Sequence, residues 1–316
     1  GLRTDLSQRG VDFEFFWIGS LPTNLQGGIE TGSTYQQGML LAMDLNLEKL
    51  VGLSGGELFA SAVWLEGEPF SEQYVGDLNK SNLVDFPASF RLWELWYGQE
   101  FFDGQIQLKA GLMSVDRDFI VPELFHSLES IHFLNQTFFY PTLAFNLYDI
   151  PGFPVGDHAL PSTPYNSLGV LIRWEPCDSF YLQGAVYDGN PDTSGSGTRV
   201  ALRSEEGLLS YLETGIRWQA ADLPGVAEIG AYYHSDEFYD MSNTLLALYG
   251  LAPSATTHDG NYGGYLLVEQ MLSWEDGPSD PAQQGLIGFF RLTGAPADRN
   301  LTEFGVDGGV VFKGLI

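Results

Sequence analysis

The chain has 316 residues and a formal net charge of −27, with 14 Lys and Arg against 41 Asp and Glu. No block of basic residues occurs, which excludes nucleic-acid binding, and no apolar run approaches the roughly 18–20 residues that a membrane-spanning helix needs. Cys177 is the single cysteine, so an internal disulfide and a cysteine metal cluster are excluded as well.

Period-two alternation of apolar and polar residues predicts twelve strands. In chain order they lie near 11–19, 36–48, 56–66, 88–101, 104–113, 166–175, 179–189, 208–219, 225–236, 262–274, 284–294 and 304–314. The links between them are long and short in turn. Residues 20–35, 67–87, 114–165, 190–207 and 237–261 are long; 49–55, Phe102-Asp103-Gly104, Pro176-Cys177-Asp178 and 220–225 are short; the last two blur the pattern. A soluble sandwich has no reason to sort its loops in this way. A transmembrane β-barrel does, because short turns line one rim and long loops the other.

The alternation also assigns faces. Ile106, Leu108, Ala110 and Leu112 oppose Gln105, Gln107, Lys109 and Gly111; Val170, Ile172 and Trp174 oppose Leu171 and Arg173; Leu212 and Ile216 oppose Glu213 and Arg217; Ile229 opposes Glu228. The first set is predicted to meet lipid and the second the lumen. The polar face reads as too ionic for a packed interior, since buried charge is costly unless paired, so these residues are expected to face water. Arg91 is discordant: its parity matches Trp93 and Leu95, which fall on the lipid side, unless it lies above the membrane or a bulge reverses its direction. Trp174, Trp218 and Trp274 precede connections on the same rim, and Trp17 and Trp64 sit at the opposite strand ends, as interfacial girdles would. Acidic pairs such as Asp236-Glu237 and Glu275-Asp276 read as solvated loop surface, or as a cation-bridged face among outer-membrane lipids and lipopolysaccharide.

Several stretches resemble the carbohydrate-selective outer-membrane porins of the OprB type. They are Gly1-Leu2-Arg3 with Arg9-Gly10-Val11, then Leu45-Asn46-Leu47-Glu48-Lys49-Leu50-Val51-Gly52 with Gly55-Gly56. Arg91-Leu92-Trp93-Glu94-Leu95-Trp96-Tyr97 with Lys109-Ala110-Gly111 follows. Ser167-Leu168-Gly169-Val170, Tyr187-Asp188-Gly189-Asn190-Pro191 and Tyr265-Leu266 with Gln270 complete the series. The likeness runs nearly end to end. It implies an all-β, antiparallel up-and-down barrel of sixteen strands in the bacterial outer membrane, of which this chain, residues 1–316, supplies twelve in one domain. The last strand runs into Phe312-Lys313-Gly314-Leu315-Ile316 rather than ending on an aromatic residue. Together with the ragged start, this favours part of a larger barrel over a closed one of twelve strands.

The resemblance further implies facilitated diffusion of glucose-like sugars, with no enzyme activity, cofactor or metal, in a monomer or a homotrimer. Sugar hydroxyls call for carboxylates and guanidinium groups, and a ring face calls for an aromatic. Lumen parity supplies Glu94, Lys109, Arg173, Glu213, Arg217, Glu228 and Asp307, with Trp96 as a stacking surface. The link 114–165 is too long for a structureless soluble loop. It is expected to fold inward as a pore constriction, with Asp116 and Arg117 as its charged residues, or to pack on itself as an extracellular lid. The other readings are a general porin, a soluble carbohydrate-binding β-sandwich, and a barrel hydrolase, for which no nucleophile motif is visible.

Overall fold

A computed structural model describes residues 1–77, 80–125, 161–193, 196–199, 207–251, 253–275 and 284–314. Twelve strands form one antiparallel sheet in which each strand pairs with its neighbour in sequence. They are β1 (Val11–Ser20), β2 (Gln36–Asn46), β3 (Gly56–Gly67), β4 (Ser89–Phe101), β5 (Ile106–Met113) and β6 (Ser167–Cys177). Then follow β7 (Phe180–Asp188), β8 (Leu208–Ala220), β9 (Leu223–Tyr239), β10 (Thr257–Trp274), β11 (Gly285–Gly294) and β12 (Phe304–Lys313). All twelve predicted strands are present. Helices among the described residues are short: α1 (Leu2–Gln8), α2 (Leu47–Val51) and α3 (Met241–Leu248). None is long and apolar enough to cross a membrane.

The short links are hairpin turns. Ala220 pairs with Leu223, leaving Ala221 and Asp222 as a two-residue loop with φ of +52° and +61°. Positive φ at both positions is the type I′ geometry, whose twist suits a hairpin. The link after β2 holds α2, with Asn46 as its cap: the Asn46 side chain accepts from Lys49 N at 2.9 Å, and Gly52 closes the helix at φ +78°.

The outer face is apolar and exposed. Ile172, Ile216 and Ile229 are 53 %, 55 % and 59 % exposed, and Val170, Leu212, Tyr233 and Tyr262 share this face. The inner face of β7–β10 is largely buried and rich in tyrosine: Tyr181, Tyr187, Tyr211, Tyr232 and Tyr265. The assigned parity therefore holds along most of the sheet, and two bulges account for the departures.

Ser61 pairs with Glu94 and Ala62 with Leu92, so Trp93 is the extra residue of a β-bulge in β4. The bulge turns Trp93 inward, into a cluster with Leu40, Val63, Leu65 and Phe86, and corrects its lipid-side placement. It also resolves Arg91, which is buried and donates to the Asp192 carbonyl while its guanidinium covers the Tyr165 ring at 4.8 Å. A second bulge leaves Leu272 unpaired between Met271 and Ser273. Beyond it Trp274 packs on the interior cluster of Leu124, Phe125, Met271 and Ile287. The expected girdle therefore loses Trp274, while Trp174, Trp17 and Trp64 stay exposed. Asp236 and Glu237 lie inside β9 rather than on a loop, and Glu275 directly follows β10. Asp276 lies outside the described residues.

The link 68–88 also folds inward. Asp85 is fully buried and accepts from Gln36 Nε2 at 2.7 Å, Ser71 N at 2.8 Å and Phe70 N at 3.1 Å. These bonds satisfy the buried backbone of a non-repetitive loop and seat Phe86 over the inner ends of β2–β4.

Candidate functional site

The link after β5 turns into the barrel. Ser114 leads into a 3-10 turn at Val115–Arg117, and the chain runs on through Phe125 against the inner wall. Phe119 and Ile120 pack among Leu171, Tyr187, Tyr211 and Tyr232; Leu124 and Phe125 pack among Val226, Ile287 and Phe289. Of the link 114–165, the described part thus lies inside. The aromatic run from Phe133 to Tyr148, the prolines at 141, 151 and 154, and His126, His132 and His158 lie outside the described residues.

Irregular backbone needs acceptors once it is buried, and two wall carboxylates provide them. Glu213 Oε2 accepts from Ile120 N at 3.1 Å and from Tyr265 OH at 2.6 Å. Its Oε1 accepts from Tyr181 OH at 2.9 Å and Gln183 Nε2 at 2.7 Å. Glu269 accepts from Glu123 N at 2.6 Å and Leu124 N at 3.2 Å. Ile120 has φ +61°, rare for a β-branched residue, and that twist accompanies the N–H bond to Glu213. Tyr181 and Tyr265 lie across glycines on the paired strands. A Cβ at Gly215 or Gly230 would collide with the ring.

Glu228 lies beside this knot. Its Oε1 is 2.8 Å from Tyr181 OH, and its Oε2 has no hydrogen-bond partner among the described residues. Glu213 and Glu228 are 2 % and 3 % exposed. This corrects the expectation that they face water: the inward segment covers this half of the wall, and one hydrogen bond from the segment with three from the wall offset the desolvation of Glu213.

Arg173 and Arg217 belong to another cluster. Arg173 donates to Glu175 at 3.1 Å and Gln183 at 3.0 Å, and lies 3.7 Å over the Tyr181 ring. Arg217 pairs with Glu123 at 2.6 Å and also with Glu175. Asp307 is held by Arg291, with both contacts at 3.0 Å. Asp116 is tied to Ser114 and accepts from Thr163 Oγ1 at 2.7 Å, which pins the turn.

The rest of the candidate residues border open space. A cavity of about 410 Å³ lies between β1–β5 and Arg117 of the segment. Glu94, Trp96, Lys109 and Arg117 line it, joined by Asp12, Glu14, Asp44, Glu57 and Phe59, which parity alone did not single out. Arg117 Nε is 3.4 Å from Glu94 Oε2, and Lys109 Nζ is 2.6 Å from Asp118 Oδ1. Phe59 on β3 stacks on Trp96 on β4 at 5.0 Å and 18°, and Lys109 on β5 lies over Trp96 at 4.3 Å. Phe59 and Lys109 come from strands on opposite sides of β4, so Trp96 is flanked on both sides. Two buried atoms of this wall, Glu94 Oε1 and Trp96 Nε1, make no hydrogen bond among the described residues. A second cavity of about 300 Å³ continues toward the short-turn rim past Glu48, Gln99, Glu100 and Gln107, and shares Asp44, Glu57 and Lys109 with the first.

An antiparallel meander with an apolar outer face, a charged inner face and a loop folded into its lumen defines a porin, a β-barrel channel of the bacterial outer membrane. Residues 30–316 match the carbohydrate-selective porin, OprB family, and the chain belongs to that family. It is 25 % identical to Porin B of Pseudomonas aeruginosa over 339 residues, covering 99 % of this chain and 68 % of that protein. It is 21 % identical to the putative porin QuiX of Acinetobacter baylyi, covering 96 % of this chain and 65 % of that one. The chain thus spans about two thirds of each relative's length. The high-pH structure of Pseudomonas putida OprB superposes with a TM-score of 0.84 at 22 % identity, covering 100 % of this chain and 74 % of that one. That likeness speaks to the fold.

Proposed function

We propose that this chain conducts glucose-like sugars by facilitated diffusion through the passage between β1–β5 and the inward segment. The observation that carries the reading is the 410 Å³ cavity, in which carboxylates, cations and an aromatic platform converge from five strands and the segment. Sugars need that combination: hydroxyls exchange their water for charged hydrogen-bond partners, and the weakly apolar ring face rests on an aromatic. Trp96 is flanked on both sides, so Phe59 offers the stacking face and Trp96 supports it. Glu94, Lys109 and Arg117 address hydroxyls, and Arg117 marks the constriction, with Asp116 holding its turn. Glu213 and Arg217 act on transport by seating the segment, and Arg173 and Glu228 belong to the wall behind it, rather than touching sugar. Release requires weak binding, which an open, water-filled groove provides.

Planar-bilayer recordings test this. Added glucose should reduce the ion current reversibly, and Phe59→Ala or Glu94→Gln should weaken that block by roughly tenfold, about 1.4 kcal/mol. If glucose leaves the wild-type current unchanged, the sugar role fails and a general porin remains.

A further inference from the structure

The charges of the lumen are not mixed evenly; they are sorted. The two cavities along β1–β5 are lined by Asp12, Glu14, Asp44, Glu57 and Glu94, and then by Glu48 and Glu100. Among the described residues the cations lining them are Lys109 and Arg117, and both are committed: Lys109 to Asp118 at 2.6 Å and Arg117 to Glu94 at 3.4 Å. The lumen arginines Arg173, Arg217 and Arg291 lie away from these cavities and are paired with Glu175, Glu123 and Asp307. Among the described residues no uncommitted cation therefore lines the passage to receive an anion.

Two further observations point to a hydrogen-bond donor bearing positive charge as the fitting occupant. Glu94 is 1 % exposed and lines the first cavity, and its Oε1 lacks a donor among the described residues. The aromatic pair beside it already holds one ammonium, Lys109 over Trp96 at 4.3 Å, while Phe59 carries the other end of the stack. An ammonium near such rings is attracted by their quadrupole. Carboxylates along a narrow, low-dielectric passage focus a field that concentrates cations and repels anions.

We propose that this passage is cation-selective and that, among hexoses, it favours protonated amino sugars over neutral sugars and neutral sugars over uronic acids. The proposal rests on the sugar-channel reading above and names its substrate class. Asp12, Glu14, Asp44 and Glu57 are its specificity-determining residues.

The channel in a planar bilayer under a potassium chloride gradient at pH 7 provides the first readout. The reversal potential should report preference for potassium over chloride. Glucose, glucosamine and glucuronate, three hexoses of nearly one shape and three charges, provide the second. Glucosamine should block at a concentration on the order of tenfold below glucose, and glucuronate only above it. Asp44→Asn with Glu57→Gln should move the reversal potential toward zero and shrink the advantage of glucosamine over glucose. If that pair does not assemble, Glu48→Gln with Glu100→Gln in the second cavity should shift the reversal potential in the same direction. Chloride preference, or glucuronate blocking as well as glucosamine while glucose still blocks, overturns this proposal and leaves the sugar channel standing. Failure of all three hexoses to block overturns the sugar-channel reading and the amino-sugar preference together.

Discussion

Glu213→Gln tests how the inward segment is held. In the native wall, the two carboxylate oxygens meet four donors: Ile120 N at 3.1 Å, Tyr265 OH at 2.6 Å, Tyr181 OH at 2.9 Å and Gln183 Nε2 at 2.7 Å. Glutamine keeps one oxygen and puts an amide NH₂ in place of the other, so two of those donors face a donor. Each buried group left unsatisfied costs about 1–3 kcal/mol. Only Ile120 N belongs to the segment, and the other three donors stay with the wall, so seating loses that one bond, at most about 3 kcal/mol. That upper bound corresponds to roughly two powers of ten in the equilibrium between seated and released segment. The assay is the rate at which a water-soluble thiol reagent labels Ile120→Cys in a Cys177→Ser background. Ile120 is 3 % exposed, so labelling reports release. The rate should rise by roughly ten- to a hundredfold in Glu213→Gln, and the single-channel current should become noisier. Glu228→Gln should leave the rate nearly unchanged, because Glu228 does not bond the segment. An unchanged labelling rate in Glu213→Gln, in a barrel that still migrates as folded on a heat-modifiability gel, would refute the anchoring role.

Glu269→Gln should release the same segment at least as strongly as Glu213→Gln, since Glu269 accepts from two backbone donors of the segment, Glu123 N and Leu124 N, and Glu213 from one; the same thiol assay reads it. Ala221→Asn should stabilise the barrel by about 1 kcal/mol in urea titration, because alanine at φ +52° is strained where asparagine is tolerated; a lower midpoint would contradict the turn assignment. Asp240 caps α3 through Asn243 N at 2.7 Å and pairs with His258 at 2.9 Å, and these contacts, the backbone one first, hold its carboxyl below the usual range. The folded form therefore favours the carboxylate, so this contribution is complete above about pH 4 and is lost as the pH falls further. Amide exchange over 241–248, corrected for intrinsic rates, should lose protection as the pH falls below about 4 in the wild type, and Asp240→Ala should lack that protection already at pH 6. Among single-tryptophan variants, lipid-phase quenchers should dim Trp174 strongly and Trp274 little; equal quenching would place Trp274 back on the outer face.

The strands and their faces were legible because both are local properties. Alternation such as Leu212, Glu213, Thr214, Gly215, Ile216 and Arg217 needs no partner to be read, and it assigned outward isoleucines and inward charges that the sheet retains. The sorting of links by length likewise carried the meander topology and, with the motif order, the family. Where the alternation misled, a bulge had intervened. Whether Trp93 or Leu272 becomes the doubled residue depends on the register of the facing strand, so the reversed directions of Arg91 and Trp274 are absent from the local pattern.

The candidate charges show the same division. Sequence placed Glu94, Lys109, Arg173, Glu213, Arg217 and Glu228 in one belt, since all share lumen parity. Tertiary structure divides them, because the inward segment fills one side of the lumen and leaves the other open. The bonds responsible join Ile120 to Glu213 and Leu124 to Glu269, across 93 and 145 residues. Period-two patterning says which side of a wall a residue faces, and says nothing about what the opposite chain places against it. That second fact turns Glu213 into an anchor, leaves Asp44 and Glu57 beside open space, and so separates residues that hold the passage from residues that line it.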